Sequence, residues 1–256
     1  MINFTLFKYF LRSNYLVWLG VMAFIMLEFV VVILMMPDIA DVVNKMGFGV
    51  ELGEQKVDGV FALAYVAGLF PMYMSMFPML FFIFAINKMV SRAVDTTSLS
   101  SVLATGIKRR DYLITAAIFV AVSITAMFFV TFIVCGLCMS HWGAIHWGRW
   151  LVLNICFVFL NLAVASIVFL CSAAFSATKF ALGLGVGIPV VFTIFSMLAE
   201  YITAFKYMTI YGWVNAEKLV AGSFNFAWLC IIAYGIIAVT LATASVFVFR
   251  KKQLSI

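Results

Sequence analysis

An all-α polytopic membrane protein with six transmembrane helices is the fold that three features of this sequence predict. Of 256 residues, 66% are apolar and only 10% are charged, and the mean hydropathy is +1.19. Soluble domains are about half apolar and about a quarter charged, so lipid is the main solvent of this chain. The apolar residues fall into runs of about 20, the length that crosses about 30 Å of hydrocarbon. The basic residues sit at the edges of those runs. A soluble enzyme and a disordered tail are excluded by this balance, and membrane topology accounts for the formal charge of +6 without any nucleic-acid partner.

Residues 1–12 are too short to span. Thr5, Lys8 and Arg12 share one side of a helical wheel, whereas Phe7, Phe10 and Leu11 lie elsewhere, which predicts an interfacial amphipathic helix anchored by Lys8 and Arg12. The run 15–36 is too long for the apolar part of a signal peptide. It ends Met35-Met36-Pro37-Asp38 with no small-x-small cleavage site, so it reads as the first span. Further spans are expected at 60–86, 112–139, 150–175, 180–199 and 226–249, with only Ser176 to Lys179 joining the fourth to the fifth. Six spans make the chain a single domain with both termini on one side.

The charges orient it. Eleven of the sixteen Lys and Arg residues fall on the terminal side, whereas seven of the ten acids fall on the other. Positive charge is retained in the cytoplasm, so both termini are expected there. Trp142, Trp147, Trp150, Trp213 and Trp228 fall next to the opposite boundary and Trp18 near the inner one, which reads as a pair of interfacial aromatic belts.

Catalytic patterns are missing from the sequence. It contains no Gly-x-Ser-x-Gly, no His-Glu-x-x-His, no intramembrane Asp pair and no phosphate-binding Gly-x-x-x-x-Gly-Lys loop. The expectation is a non-enzyme that binds no ATP, cofactor or metal itself. His141 and His146 share a short outer loop, where interfacial hydrogen bonding competes with a metal or proton site. The five cysteines all lie in apolar runs, and their odd number argues against a disulfide framework. Cys135 and Cys138 have redox-motif spacing, but no second pair accompanies them, so small apolar packing is favoured.

Glu28 is the outstanding residue within the membrane. A charge at depth costs about 3 kcal/mol on insertion scales, so it is either a pathway residue or one end of a structural hydrogen bond. Asn154 and Asn161, seven apart on one face of span four, read as interhelical hydrogen-bonding groups, with Asn161 also a candidate pathway residue. Span two carries Pro71 and Pro78 with Met72, Met74, Met76 and Met79. Proline kinks a membrane helix and thioethers adapt to varied apolar shapes, so Met72 and Met76 are either lipid-facing filler or a soft cargo lining. Gly183, Gly185, Gly187 and Pro189 in span five favour close helix contact.

The loop after span two is the most informative segment. Asp95, Thr97 and Ser98 are candidate N-caps for a short helix whose Leu99, Val102 and Leu103 share a face, and Gly106 is a natural stop. Such an apolar ridge must be covered by the bilayer or by a partner. Asp95 to Arg109 reads acid-x-Thr-x-Leu-x-x-x-Leu-Ala-Thr-Gly-Ile-x-Arg, a broken apolar stretch precedes the last span, and the chain ends Phe249-Arg-Lys-Lys-Gln-Leu-Ser-Ile256.

With the amphipathic start, these features resemble the six-span permeases of ABC-2 type exporters over nearly the whole chain. Asp95 stands where that family often has Glu, and Gly106-Ile107-Lys108 where it often has Pro-Ile-Ser or Pro-Val-Ser. The resemblance implies a coupling helix, with Asp95, Thr97, Leu99, Val102, Leu103 and Arg109 engaging a cytoplasmic ATPase subunit that binds ATP and Mg. It implies a second permease chain as partner, a bacterial plasma membrane, and an outer re-entrant segment within 200–225. Among such permeases the chain looks most like those exporting amphipathic peptides such as phenol-soluble modulins or bacteriocins. Two other classes stay open: a secondary transporter using Glu28 as its ion site, and a peptide-binding immunity or sensor protein.

Overall fold

The computed structural model describes residues 3–37, 59–95, 102, 104, 106–175, 177–199, 202–220, 222 and 224–251. Among these the chain is helical with no strand, and six helices are long and apolar enough to cross a membrane. They are α1 (Phe4–Leu34), α2 (Gly59–Ile86), α3 (Arg109–Ser140), α4 (Trp147–Ala174), α5 (Thr178–Leu198) and α6 (Phe224–Lys251). Each covers one expected span, with ends shifted by a few residues except at the start of α1.

Three hydrogen bonds fix α1 against α3. The Asn3 amide donates to Thr115 Oγ1 (3.3 Å), Trp18 Nε1 to the Ser123 carbonyl (3.1 Å) and Trp142 Nε1 to the Ile33 carbonyl (3.0 Å). Both numberings rise together, so the two helices run parallel. Phe10 packs edge-on against Tyr112, and Arg250 borders the same cavity as Arg110, so both described ends of the chain lie on one side. We call this the terminal side.

The most buried helix, α4, is at the centre, packed against α2, α3, α5 and, most extensively, α6. The core around it is aromatic. Phe70 is wholly buried and meets Phe128, Trp150 and Phe157 edge-on, the arrangement that ring quadrupoles favour. Helices α1, α5 and α6 keep most of their apolar circumference exposed, the surface that lipid covers in a multi-pass membrane protein.

Four expectations change on contact with the fold. Residues 4–12 are helical, but they are the first turns of α1 and not a separate interfacial helix. Nothing between Phe10 and Tyr15 breaks the helix: Asn14 is absorbed by donating Nδ2 to the Phe10 carbonyl (2.9 Å), and Leu6 and Phe10 are buried while Lys8 and Arg12 are exposed. Trp150 is no belt residue, because it is wholly buried with Nε1 satisfied by the Phe132 carbonyl at 2.9 Å. Trp18 lies fourteen residues beyond Phe4, about 21 Å along the helix, and bonds the middle of α3. Of the span-five glycines only Gly185 meets a neighbour, as an added Cβ would lie 3.4 Å from Val168 Cγ1, whereas Gly183 and Gly187 face open space.

The broken stretch before α6 folds as the sequence suggests. It forms short helices at Thr203–Met208 and Ala216–Val220 around a 3-10 turn at Tyr211–Trp213. Thr209, Ile210, Tyr211 and Leu219 are buried. Thr209 Oγ1 donates to the Phe192 carbonyl (3.1 Å), and Tyr234 Oη donates to that of Ile210 (2.6 Å). Irregular backbone is tolerated at membrane depth only when it is covered by protein in this way.

Candidate functional site

Two prolines shape α2. A helical proline cannot donate to the carbonyl four residues earlier, so Pro78 frees Met74 and Pro71 frees Ala67. Asn161 on α4 supplies the missing donor at the first: its Nδ2 lies 2.9 Å from the Met74 carbonyl and 2.9 Å from that of Phe157. Asn161 is wholly buried, and its Oδ1 has no partner among the described residues. It is therefore a stitch between α4 and α2 rather than a lining residue. Asn154 is satisfied within its own helix, through the Trp150 carbonyl at 2.8 Å.

The second proline borders an open crevice of about 380 Å³. One wall is α2, with Ala67, Gly68, Pro71, Met72 and Ser75 on a single helical face. The opposing wall is the end of α5, with Thr193, Ser196 and Met197, and the turn at 211–216 closes one end. No charged side chain lines it among the described residues. The hydroxyls of Thr193 and Ser196 donate back to Pro189 and Thr193 carbonyls (3.0 and 2.9 Å), so they offer a ligand acceptor lone pairs only. Thioethers, hydroxyls, the Asn215 amide and aliphatic walls in a space this size can seat one or two large amphipathic side chains, near the lower limit for ligand pockets.

Of the candidate pathway residues, only Met72 lines the crevice, where it is 52% exposed. Met76 is exposed one turn further along α2, outside the lining. Glu28 is half-buried on α1, six positions before Leu34, and α1 contributes nothing to the crevice. The candidate coupling residues are only partly visible. Thr97, Leu99 and Leu103, and the side chain of Asp95, lie outside the described residues. Val102 is helical and half-buried against the core, so that member of the ridge is covered by its own chain. Arg109 begins α3, and Gly106 just before it takes φ 85°, the left-handed conformation expected of a helix stop. A π-helical turn at Asn87–Ser91 leads into this region, and Tyr112 Oη donates to its Met89 carbonyl at 2.6 Å.

Sequence reasoning missed Thr193, Ser196 and Met197, although their i, i+3, i+4 spacing marks one face of α5. Nor did the general placement of basic residues at the edges of apolar runs single out Arg149. Arg149 Nη1 donates to the Val220 carbonyl at 3.0 Å and holds the end of the broken stretch against α4 beside Gly222, which has φ 99°. His141 stacks edge-on with Trp142, and His146 caps α4 by position without a side-chain bond. Among the described residues no three His, Cys, Asp or Glu side chains come together, and the cysteines are free thiols.

The architecture defines a multi-pass helical membrane protein with a small uncharged crevice of mixed polar and apolar lining between α2, α5 and a buried broken segment. No protein-family model and no curated relative matches the sequence.

Proposed function

We propose that this chain is the transmembrane permease subunit of an ATP-driven exporter that moves hydrophobic or amphipathic substrates, antimicrobial or cytolytic peptides foremost, by alternating access. In this reading it lies in a bacterial plasma membrane with both termini cytoplasmic. It pairs with a second permease chain, and a separate ATPase subunit binds ATP and Mg. The observation that carries the substrate class is the uncharged crevice with Met72 and Met197 on opposing walls. The lining sets hydroxyls and the Asn215 amide beside thioether and aliphatic walls and carries no charge, which suits varied amphipathic side chains better than an ion. Support for the ATPase partner comes from the segment Asp95 to Arg109, whose pattern resembles a coupling helix.

The test is purification of the native complex in mild detergent, followed by ATPase assay with and without an amphipathic helical peptide. An ATPase that co-purifies in fixed ratio, with vanadate-sensitive hydrolysis stimulated by the peptide, is the expected result. A Leu99→Asp, Leu103→Asp chain is expected to lose the ATPase while remaining monodisperse. Met72→Trp, which fills the crevice, is expected to keep the ATPase and lose peptide stimulation. Well-folded wild-type protein with no associated ATPase would falsify the exporter reading.

A further inference from the structure

We propose that the trough between α3 and α6 binds an anionic phospholipid, with an acyl chain along the trough and the phosphate at the end bordered by Arg110 and Arg250. Two open cavities, of about 390 and about 270 Å³, share Ala117, Ile118 and Ala242 and so form one continuous trough. Arg110, Ile114, Ala117, Ile118 and Ala121 line it from α3 at helical spacing. From α6 it is lined by Val239, Ala242, Val246 and Arg250. The two stripes run in opposite chain directions, so both arginines stand at the terminal end.

The dimensions and chemistry select the occupant. Each stripe covers eleven residue steps, 110 to 121 and 239 to 250, which is about 16 Å of helix at about 1.5 Å per residue. That matches one leaflet, half of the roughly 30 Å hydrocarbon thickness. Alanines on α3, α4 and α6 leave room that larger side chains would fill. The wall hydroxyls donate within their own helices, Thr243 to the Val239 carbonyl (2.7 Å) and Ser166 to that of Ala163 (2.6 Å), so the trough offers no hydroxyl donor and is mostly hydrocarbon along its length. The single-leaflet length, the hydrocarbon walls and the small alanine-lined floor suit an extended acyl chain. Among the described residues the only charges in the lining at the terminal end are the two exposed guanidinium groups. Asp111, next to Arg110 in sequence, is not part of it. Guanidinium pairs with phosphate through parallel N–H donors, and basic pockets between membrane helices take anionic headgroups. The inference requires membrane insertion but not the transport reading.

The test is native mass spectrometry of the full chain in neutral detergent, titrated with dioleoylphosphatidylglycerol or dioleoylphosphatidylcholine. Wild type is expected to retain the glycerol lipid in preference to the choline lipid. Arg110→Gln and Arg250→Gln are each expected to lower that preference about five-fold, leaving the weak choline adduct unchanged. Ala117→Phe with Ala242→Phe, which fills the trough, is expected to remove both adducts while the protein stays monodisperse. Lys179→Gln with Lys251→Gln removes two exposed charges outside the trough and is expected to change nothing. Equal binding of the two lipids by wild type overturns the proposal. So does an equal loss in the lysine control, retention of the preference without the arginines, or a second copy of the chain in place of lipid that is released by Ala242→Phe.

Discussion

Replacing Asn161 by leucine tests the reasoning about α2 most directly. The wild-type amide donates to the Met74 carbonyl at 2.9 Å in a site with no solvent exposure. Its second acceptor, the carbonyl of Phe157, is also within reach of residue 161's own backbone N–H, four positions along the helix. Asn161→Leu therefore orphans one carbonyl, that of Met74. An unsatisfied buried acceptor costs about 1–3 kcal/mol in proteins generally, and interhelical hydrogen bonds in bilayers average about 0.6 and reach about 1.7 kcal/mol. A loss of about 1–2 kcal/mol is expected, measured by equilibrium unfolding in mixed micelles. The decisive comparison is Pro78→Ala, which restores an N–H to the Met74 carbonyl from within α2. In that background the loss from Asn161→Leu should fall by about 1 kcal/mol, the coupling a double-mutant cycle isolates. Strict additivity of the two changes would refute the account, because Asn161 would then not be standing in for the proline's missing donor.

Two further changes probe the joints around the core. A Cβ at Gly136 would lie 2.5 Å from Trp147 Cζ3, so Gly136→Ala must displace that indole. The expected result is a loss of about 1–3 kcal/mol with a shifted tryptophan emission, and an unchanged spectrum would contradict the packing. Arg149→Met removes the 3.0 Å bond to the Val220 carbonyl while keeping the aliphatic stem. Faster amide exchange confined to 203–220 is expected, with a global stability change of about 1 kcal/mol; uniform protection would show that the broken stretch is held without it.

The spans were legible because lipid forces a simple code: runs of about 20 apolar residues ended by charge or by polar loops. What the sequence could not carry was anything decided across helices. The continuity of α1 through Ser13 and Asn14 depends on Phe10 finding Tyr112 and Phe119, and no local pattern announces that. Trp150 reads as an interfacial anchor by position, yet an acceptor at Phe132, on another helix, lets it be buried entirely. Asn161 and Pro78 were both conspicuous, but the relation between them is tertiary. The crevice shows the limit well: Met72 was visible as a thioether beside a proline, whereas the opposing wall comes from α5 and from a segment whose broken pattern hides its depth.

The crevice lies between partners of unequal attachment. On one side are α2 and α4, the two most buried helices, and on the other the end of α5, with most of its surface open. Pro189 sits between the close contact at Gly185 and the lining residues Thr193, Ser196 and Met197, and it frees the Gly185 carbonyl. The part of α5 before Pro189 is thus held against Val168 of α4, while the part after it is held by Thr209 at the Phe192 carbonyl and by Phe205 packed at a tilt against Phe195. Widening the crevice then requires bending α5 at a place already lacking a hydrogen bond, and not separating α2 from α4. Pro189→Ala restores that bond and is expected to slow amide exchange over 190–198 while changing global stability by no more than about 1 kcal/mol. In an exporter it should also lower peptide-stimulated ATP hydrolysis without releasing the ATPase. Exchange over 190–198 that is unchanged by the substitution would mean that this wall does not bend at Pro189, and the crevice would have to open elsewhere.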